Sequence, residues 1–343
     1  MEMTDIPYSV AKVARRPPAK AGRDAARYIV DTLECGPLTN VRDLSRNVLK
    51  LAAKLSSADP AVFGLLSCKG VMRIPHQSPL PSGKHAPPCA FQLVFRFPDG
   101  DEVLESLRRQ LLIFPAADIE PGERIRVARE LAKSVGYVQT FGFVHKGIRP
   151  ESILSFRTPD SECRHTCLVG FDAFRAANGA TRKIGDDSWE TNLYRHPERQ
   201  GDRPAEKYSM RHDIYSLGVC LLEVGLWESF VEYETRGDGT EEPSQNREGF
   251  KGAFAEWLRG GAGGGAKTVP IARESYKCKL KDYLVEQARA KLPARMGNKY
   301  AQVVVECLSC LDESSWFRRD STEMEVAIRF MGDIMMHLDE ISV

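Results

Sequence analysis

The side chains that could do chemistry are few. Cys163 and Cys167 flank His165, and Cys307 and Cys310 have the CxxC spacing. A structural zinc ion takes four N or S ligands in two clusters. Both pairs read instead as reduced thiols packed like small hydrophobes, Cys307 and Cys310 inside an apolar, helix-like run. The run 263–268 (GGGAKT) has the composition of a phosphate-cradling loop, but Ala266 stands where glycine should precede the lysine and no strand leads into it; a glycine-rich linker is expected. Asp186 and Asp187 could ligate a cation but read as a solvated loop, and His196 and His212 stand alone, with no role expected for either. There remains one dense stretch, Phe143–Leu154 (FVHKGIRPESIL) followed by Leu168–Phe174 (LVGFDAF), which gathers His145, Arg149, Glu151 and Asp172.

The elements that must position this stretch can be read from periodicity. The chain has 343 residues, enough for one large two-lobed domain. Residues 1–26 read as a basic tail without fixed structure, and 27–31 (RYIVD) as a short strand. Residues 41–55 carry apolar side chains at helical spacing. Residues 62–74 and 89–97 read as strands separated by a Pro/Ser/Gly-rich loop over 75–88, and Pro98-Asp99-Gly100 is a turn signal. Helical character follows. Residues 103–112 are amphipathic, and in 123–140 Ile125, Ala128, Leu131, Ala132, Val135 and Val138 form one stripe. Residues 213–227 (DIYSLGVCLLEVGLW) are apolar all round, which predicts a helix buried all round. Residues 231–268 read as a flexible Gly-rich insertion. Thr322 and Glu325 predict a capping box opening a final helix whose core stripe is Ala327, Phe330, Met331, Ile334 and Leu338.

Five landmarks in order give a resemblance to protein kinases. FVHKGIRPESIL resembles the kinase catalytic loop, with His145, Pro150, Glu151, Ile153 and Leu154 in agreement. LVGFDAF stands at the place of the DFG metal-binding motif. Tyr194–Glu198 (YRHPE) resembles the APE end of the activation segment. Asp213–Val219 resembles the start of the buried central helix of the helical lobe. Arg318 or Arg319 fits the arginine that pairs with the APE glutamate. The resemblance implies an α+β, two-lobed fold: a small antiparallel-sheet lobe over 27–98 and a larger helical lobe over 99–340. It also implies structural roles. His145 and Phe171 would stack, Asp213 would accept hydrogen bonds from the backbone around His145, and Glu198 would pair with Arg318 or Arg319.

The chemistry the resemblance demands is missing. A kinase uses a catalytic-loop Asp as base, an Asn and the DFG Asp as magnesium ligands, a glycine-rich loop and a strand lysine for the phosphates. Here the base position is Gly147, the loop lysine is Arg149, the Asn is Ser152 and the DFG Asp is Gly170, with Phe171 retained and Asp172 in the glycine's place. No glycine-rich loop and no VAIK-like lysine precede them. Base catalysis alone contributes about 10²–10⁴-fold. The expectation is therefore a pseudokinase, with no catalytic residue, no metal and no cofactor expected, and with ATP possible but doubtful, its binding weak or absent. Its working surfaces would be the cleft between the lobes, the segment 171–198 and the insertion 231–268. The phrasing of the motifs is similar to the kinase-like domains of filamentous fungi that accompany HeLo prion-inhibition-and-propagation domains, which implies a regulatory module in cell-death or incompatibility signalling. The helical bundle of those proteins is not in this chain. The alternatives are a residual or atypical ATP-binding kinase, and a degenerate domain kept only for assembly of a larger complex.

Composition narrows the setting. The net charge of +1 gives no field that would draw nucleic acid. No apolar run reaches the roughly 18–20 residues of a membrane span, and the N-terminus lacks the apolar core of a signal peptide. The nine cysteines suit a reducing compartment. A cytoplasmic protein with a protein partner is expected; neither the partner nor the oligomeric state can be read from the residues.

Overall fold

In the computed structural model the residues described are 2–17, 25–36, 39–75, 90–98, 104–157, 164–177, 188–201, 207–235, 241–244, 249–260, 273–313, 315, 317 and 321–342. They form a mixed α and β structure with a small antiparallel sheet, and the chain divides into two units. The first holds residues 1–110 and 129–179, the second 111–128 and 180–343.

The first unit is built on β1 (Glu2–Asp5), β2 (Lys12–Arg16), β3 (Ala26–Glu34), α1 (Val41–Leu55), α2 (Pro60–Phe63), β4 (Cys68–Ile74) and β5 (Ala90–Arg96). The five strands form one antiparallel sheet in the order β1-β2-β3-β5-β4. β3 and β5 are central and rich in β-branched and aromatic residues, which fit a half-buried pleated surface; Ile29, Leu33, Phe91 and Phe95 are fully buried. α1 starts where expected. The Asn40 side chain accepts from the Asp43 N–H as its N-cap, and Val48, Leu51, Ala52 and Leu55 form its buried face.

Two expectations are corrected here. Residues 1–26, read as a tail, supply two of the five strands. β2 has only Ala14 fully inward among charged neighbours, so it lacks the apolar alternation that marks a strand. Residues 60–63, read in part as strand, form a helical turn capped by Asp59.

β6 (Glu105–Ser106) leads into α3 (Leu107–Ile113); α3 and α4 (Pro121–Thr140) each have residues in both units, and the first unit also holds β7 (Phe143–Val144), β8 (Ile153–Arg157), β9 (Arg164–Leu168) and β10 (Arg175–Ala176). β6, β8 and β9 form a three-stranded sheet, and β7 pairs with β10. All six residues of the stripe expected in 123–140 are buried. The division of the chain does not fall at residue 98. Residues 129–179 group with the strand-rich unit, because Leu168 bridges to Leu65 and donates its N–H to the Gly64 carbonyl at 2.9 Å.

The second unit holds α5 (Trp189–Asn192), α6 (Met210–Leu226), a hairpin of β11 (Tyr233–Thr235) and β12 (Glu241–Pro243), α7 (Gly249–Gly260), α8 (Arg273–Met296), α9 (Asn298–Leu308), α10 (Glu323–Arg329), a π-turn over Phe330–Ile334 and α11 (Met335–Asp339). Every residue of α6 is buried, as its apolar circumference predicts. Gly218 lets α9 approach: a Cβ there would lie 2.8 Å from that of Cys307. The Thr322–Glu325 capping box forms. The insertion expected over 231–268 instead contains the β11–β12 hairpin and α7. Phe250, Phe254 and Trp257 fall at i, i+4 and i+7, and Phe254 is fully buried, 5.3 Å from Tyr283 between ring centroids. The run 263–268 and Asp186 and Asp187 lie outside the described residues. No described helix is long and apolar enough to cross a membrane.

Candidate functional site

The loop from β7 to β8 and the turn after β9 come together in the first unit. His145 is fully buried. Its Nδ1 accepts the Gly147 N–H at 3.2 Å, so Nε2 carries the proton and donates to the Val169 carbonyl at 3.0 Å. Burial lowers its pKa to about 3, and the nearby Arg149 adds to the effect, so the ring is neutral and structural. His145 packs against Phe171 with ring centroids 4.8 Å apart and planes inclined at 58°, a tilted contact where a stack was expected, and Phe95 and Phe174 surround Phe171 at 6.3 Å each.

The positions that the resemblance aligns with phosphoryl-transfer residues make the following contacts. Gly147 has room for a side chain, since a Cβ would meet Asp172 Oδ1 at 3.5 Å and nothing closer. The Ser152 hydroxyl donates to the Arg149 carbonyl at 2.9 Å and accepts the Arg149 N–H at 3.1 Å, closing the loop on itself. Arg149 also lies 3.8 Å from the Glu151 carboxylate. Gly170 has φ +81°, a left-handed conformation that glycine adopts freely. A Cβ there would be 2.6 Å from Val10 Cγ2 and 3.0 Å from Ser152 Cβ. No carboxylate fits at that position while Val10 stays. Asp172 has solvent-exposed surface, although the loops crowd it. Crowding raises its pKa, against which Arg149 and Lys146 pull.

Three features of this site were not read from the sequence. The first is Asp31, in the middle of β3 and 1% exposed. Its Oδ2 accepts the backbone N–H groups of Gly170 (2.8 Å) and Phe171 (3.2 Å), and its Oδ1 has no hydrogen-bond partner among the described residues. Burial is the main cause of a pKa raised to about 7; the two N–H groups oppose it and Asp172 adds to it. The signal was available, since an acid inside RYIVDTLE breaks an otherwise apolar strand centre. The second is the β1–β2 loop, which folds onto the β7–β8 loop. The Glu151 carbonyl accepts from Val10 N and Ser9 Oγ, both at 3.1 Å, and the Pro7 carbonyl accepts from Ser106 Oγ at 2.8 Å. The third is Arg108, fully buried, whose Nε donates to Glu151 at 3.0 Å. Nothing in the local sequence signals these long-range pairings.

The other residues expected to be structural lie in the second unit. Asp213 is buried and its Oδ1 accepts the Tyr208 hydroxyl at 2.7 Å. The Glu198 carboxylate lies 3.8 Å from His196 Nδ1; Arg318 and Arg319 lie outside the described residues. Of the cysteines, Cys167, Cys307 and Cys310 are free and buried, with thiol pKa values pushed up by burial. Cys163 lies outside the described residues.

In comparisons with known proteins, no family model and no curated sequence matches this chain.

Proposed function

We propose that this chain is a catalytically degenerate protein-kinase-like domain that acts in the cytoplasm as a regulatory protein-binding module, in signalling of the cell-death type that fungal kinase-like domains serve. The observation that carries the reading is Asp31. Kinases hold a lysine on their third strand for the nucleotide phosphates. The third strand here carries a buried acid at its centre, occupied by the backbone of Gly170 and Phe171. An anion brought to this place would meet a carboxyl group rather than an ammonium.

Three further observations support it. The order β1-β2-β3-β5-β4, with one long helix between β3 and β4, is the arrangement a kinase-like small lobe requires. The tilted His145–Phe171 ring contact supports a scaffold kept without the chemistry. The β1–β2 loop, which in a kinase would cover phosphates, is bonded to Glu151 and fills the space over Gly170. Partner binding then falls to surfaces such as the segment 188–201 and the β11–α7 region.

The test is a thermal-shift titration of the whole chain with ATP, with and without magnesium. No change in Tm in either condition is expected. A magnesium-dependent rise would overturn the reading and favour an ATP-binding kinase.

A further inference from the structure

Two histidines that are far apart in the sequence meet in the second unit. His196 follows α5 and opens the turn Pro197–Arg199; His212 lies in the first turn of α6. Both are buried, at 5% and 3% exposure, and their rings are 6.0 Å apart at 81°. Glu198, half-buried, completes a group whose three ligand atoms, one from each residue, all lie within 4.8 Å of one another. Tetrahedral zinc, with bonds near 2.0–2.2 Å, holds its ligands about 3.3 Å apart. To reach that geometry the group has to contract by up to about 1.5 Å.

His212 supplies the second, independent observation. Its Nδ1 lies 2.9 Å from both the backbone N and the Oγ of Ser209, while its Nε2 is buried without a hydrogen-bond partner among the described residues. A buried polar atom without a partner is costly and calls for an explanation. Metal-bound imidazoles use one nitrogen for the ion and give the N–H of the other to an acceptor. Ser209 Oγ is such an acceptor. Burial, His196, Arg199 and Arg211 all keep His212 neutral, which is the form a metal takes.

We propose that His196, Glu198 and His212 bind a divalent ion of the zinc class, with water completing the shell. His212 coordinates through Nε2; its proton moves to Nδ1 and is accepted by Ser209 Oγ, and the half-buried Ser209 N–H turns to water. Glu198 supplies the one negative charge of the ligand set. Arg199 and Arg211 flank the site and oppose a dication, so affinity is limited by their charge. The ion would pin the turn after α5 to the start of α6. This inference is independent of the pseudokinase reading, because no nucleotide and no residue of the first unit enters it.

The test is titration of the metal-free whole chain with cobalt(II), followed by visible absorption, beside a zinc titration of Tm. One equivalent of cobalt should give the strong d–d bands of a four- or five-coordinate N/O site, with no thiolate charge-transfer band. Saturating zinc should raise Tm by roughly 5 °C. His212→Gln keeps the capping role at the third helical position, and His196→Asn keeps a side-chain acceptor for the Glu198 N–H; each should weaken zinc at least about tenfold while leaving the metal-free Tm near that of the parent. Bands no stronger than those of aqueous cobalt would overturn the proposal. So would thiolate bands that persist in both variants, which would give the metal to cysteines. If either variant fails to fold, X-ray absorption of the zinc-loaded parent decides: imidazole scattering without sulfur is required, and sulfur in the first shell sinks the idea.

Discussion

Asp31 and Gly170 are 139 positions apart in sequence, yet the Asp31 carboxylate accepts the Gly170 backbone N–H at 2.8 Å. That contact ties the centre of the main sheet to the turn after β9, and it does so with a carboxyl group that burial holds up near pKa 7.

A pH dependence follows from this. The unfolded carboxyl ionises near 3.9, so between about pH 4 and 7 the folded chain binds more protons at this site than the unfolded chain. Its contribution is full below pH 4 and is lost as pH rises through 7, amounting to about 4 kcal/mol. His145 acts with the opposite sign, since its folded pKa near 3 makes stability fall as pH drops below 6.5. The parent curve alone therefore hides both. The difference between the parent and Asp31→Asn isolates one: urea unfolding at several pH values should show the variant gaining on the parent from about pH 4 to 7 and holding a constant lead above. A constant difference across that range would mean that Asp31 is ionised in the fold.

On the proposed pseudokinase reading, introducing the aspartates of a kinase should separate two positions. Gly147→Asp has space and should fold, with Tm within a few degrees of the parent and, on that reading, without phosphotransfer. Gly170→Asp meets both a left-handed backbone and Val10, and should lose roughly 2–5 kcal/mol. Paired chemical denaturation of the two variants measures this; equal stabilities would show that Val10 is free to leave.

Arg108→Met should be costly, because it strands Glu151 in a mostly dehydrated place. Breaking a buried pair of this kind costs about 3–5 kcal/mol. The double change Arg108→Met with Glu151→Gln removes both charges and should recover a large part of the loss. A double-mutant cycle on urea midpoints reads the coupling, and purely additive losses would argue against the pair.

At the other end of the chain, Thr322→Ala should cost about 1 kcal/mol by removing a side-chain acceptor from the α10 capping box. Thr322→Ser should restore it. Loss in both would place the effect in the methyl group rather than the cap.

Local rules carried much of this fold. The limits of α1 and the buried circumference of α6 followed from apolar spacing, and the α10 cap from two side chains. The resemblance put His145 beside Phe171, though as a stack and not as the tilted contact observed. What stayed hidden is long-range or charge-rich. β2 is a strand because its backbone pairs with β3, whereas KVARR has one small inward residue and no alternation. Asp31 is interpretable only once Gly170 stands beside it. His196 and His212 read as isolated because fifteen residues of chain lie between them, and only the packing of α6 against the preceding turn brings their rings together.

The β2–β3 pairing has a practical side. Ala14, Val30 and Val94 share a buried cluster with Tyr28 packed against it, and Val30 and Val94 face each other across β3 and β5. A protein trimmed to residue 27, the boundary that composition alone suggests, would strip β1 and β2 and leave β3 as a bare edge. Eight residues of open strand, apolar at their centre, are a template for another chain. Such a truncated protein would be expected to self-associate through that edge, so aggregation of a short version would report the loss of the hairpin rather than any property of the intact chain.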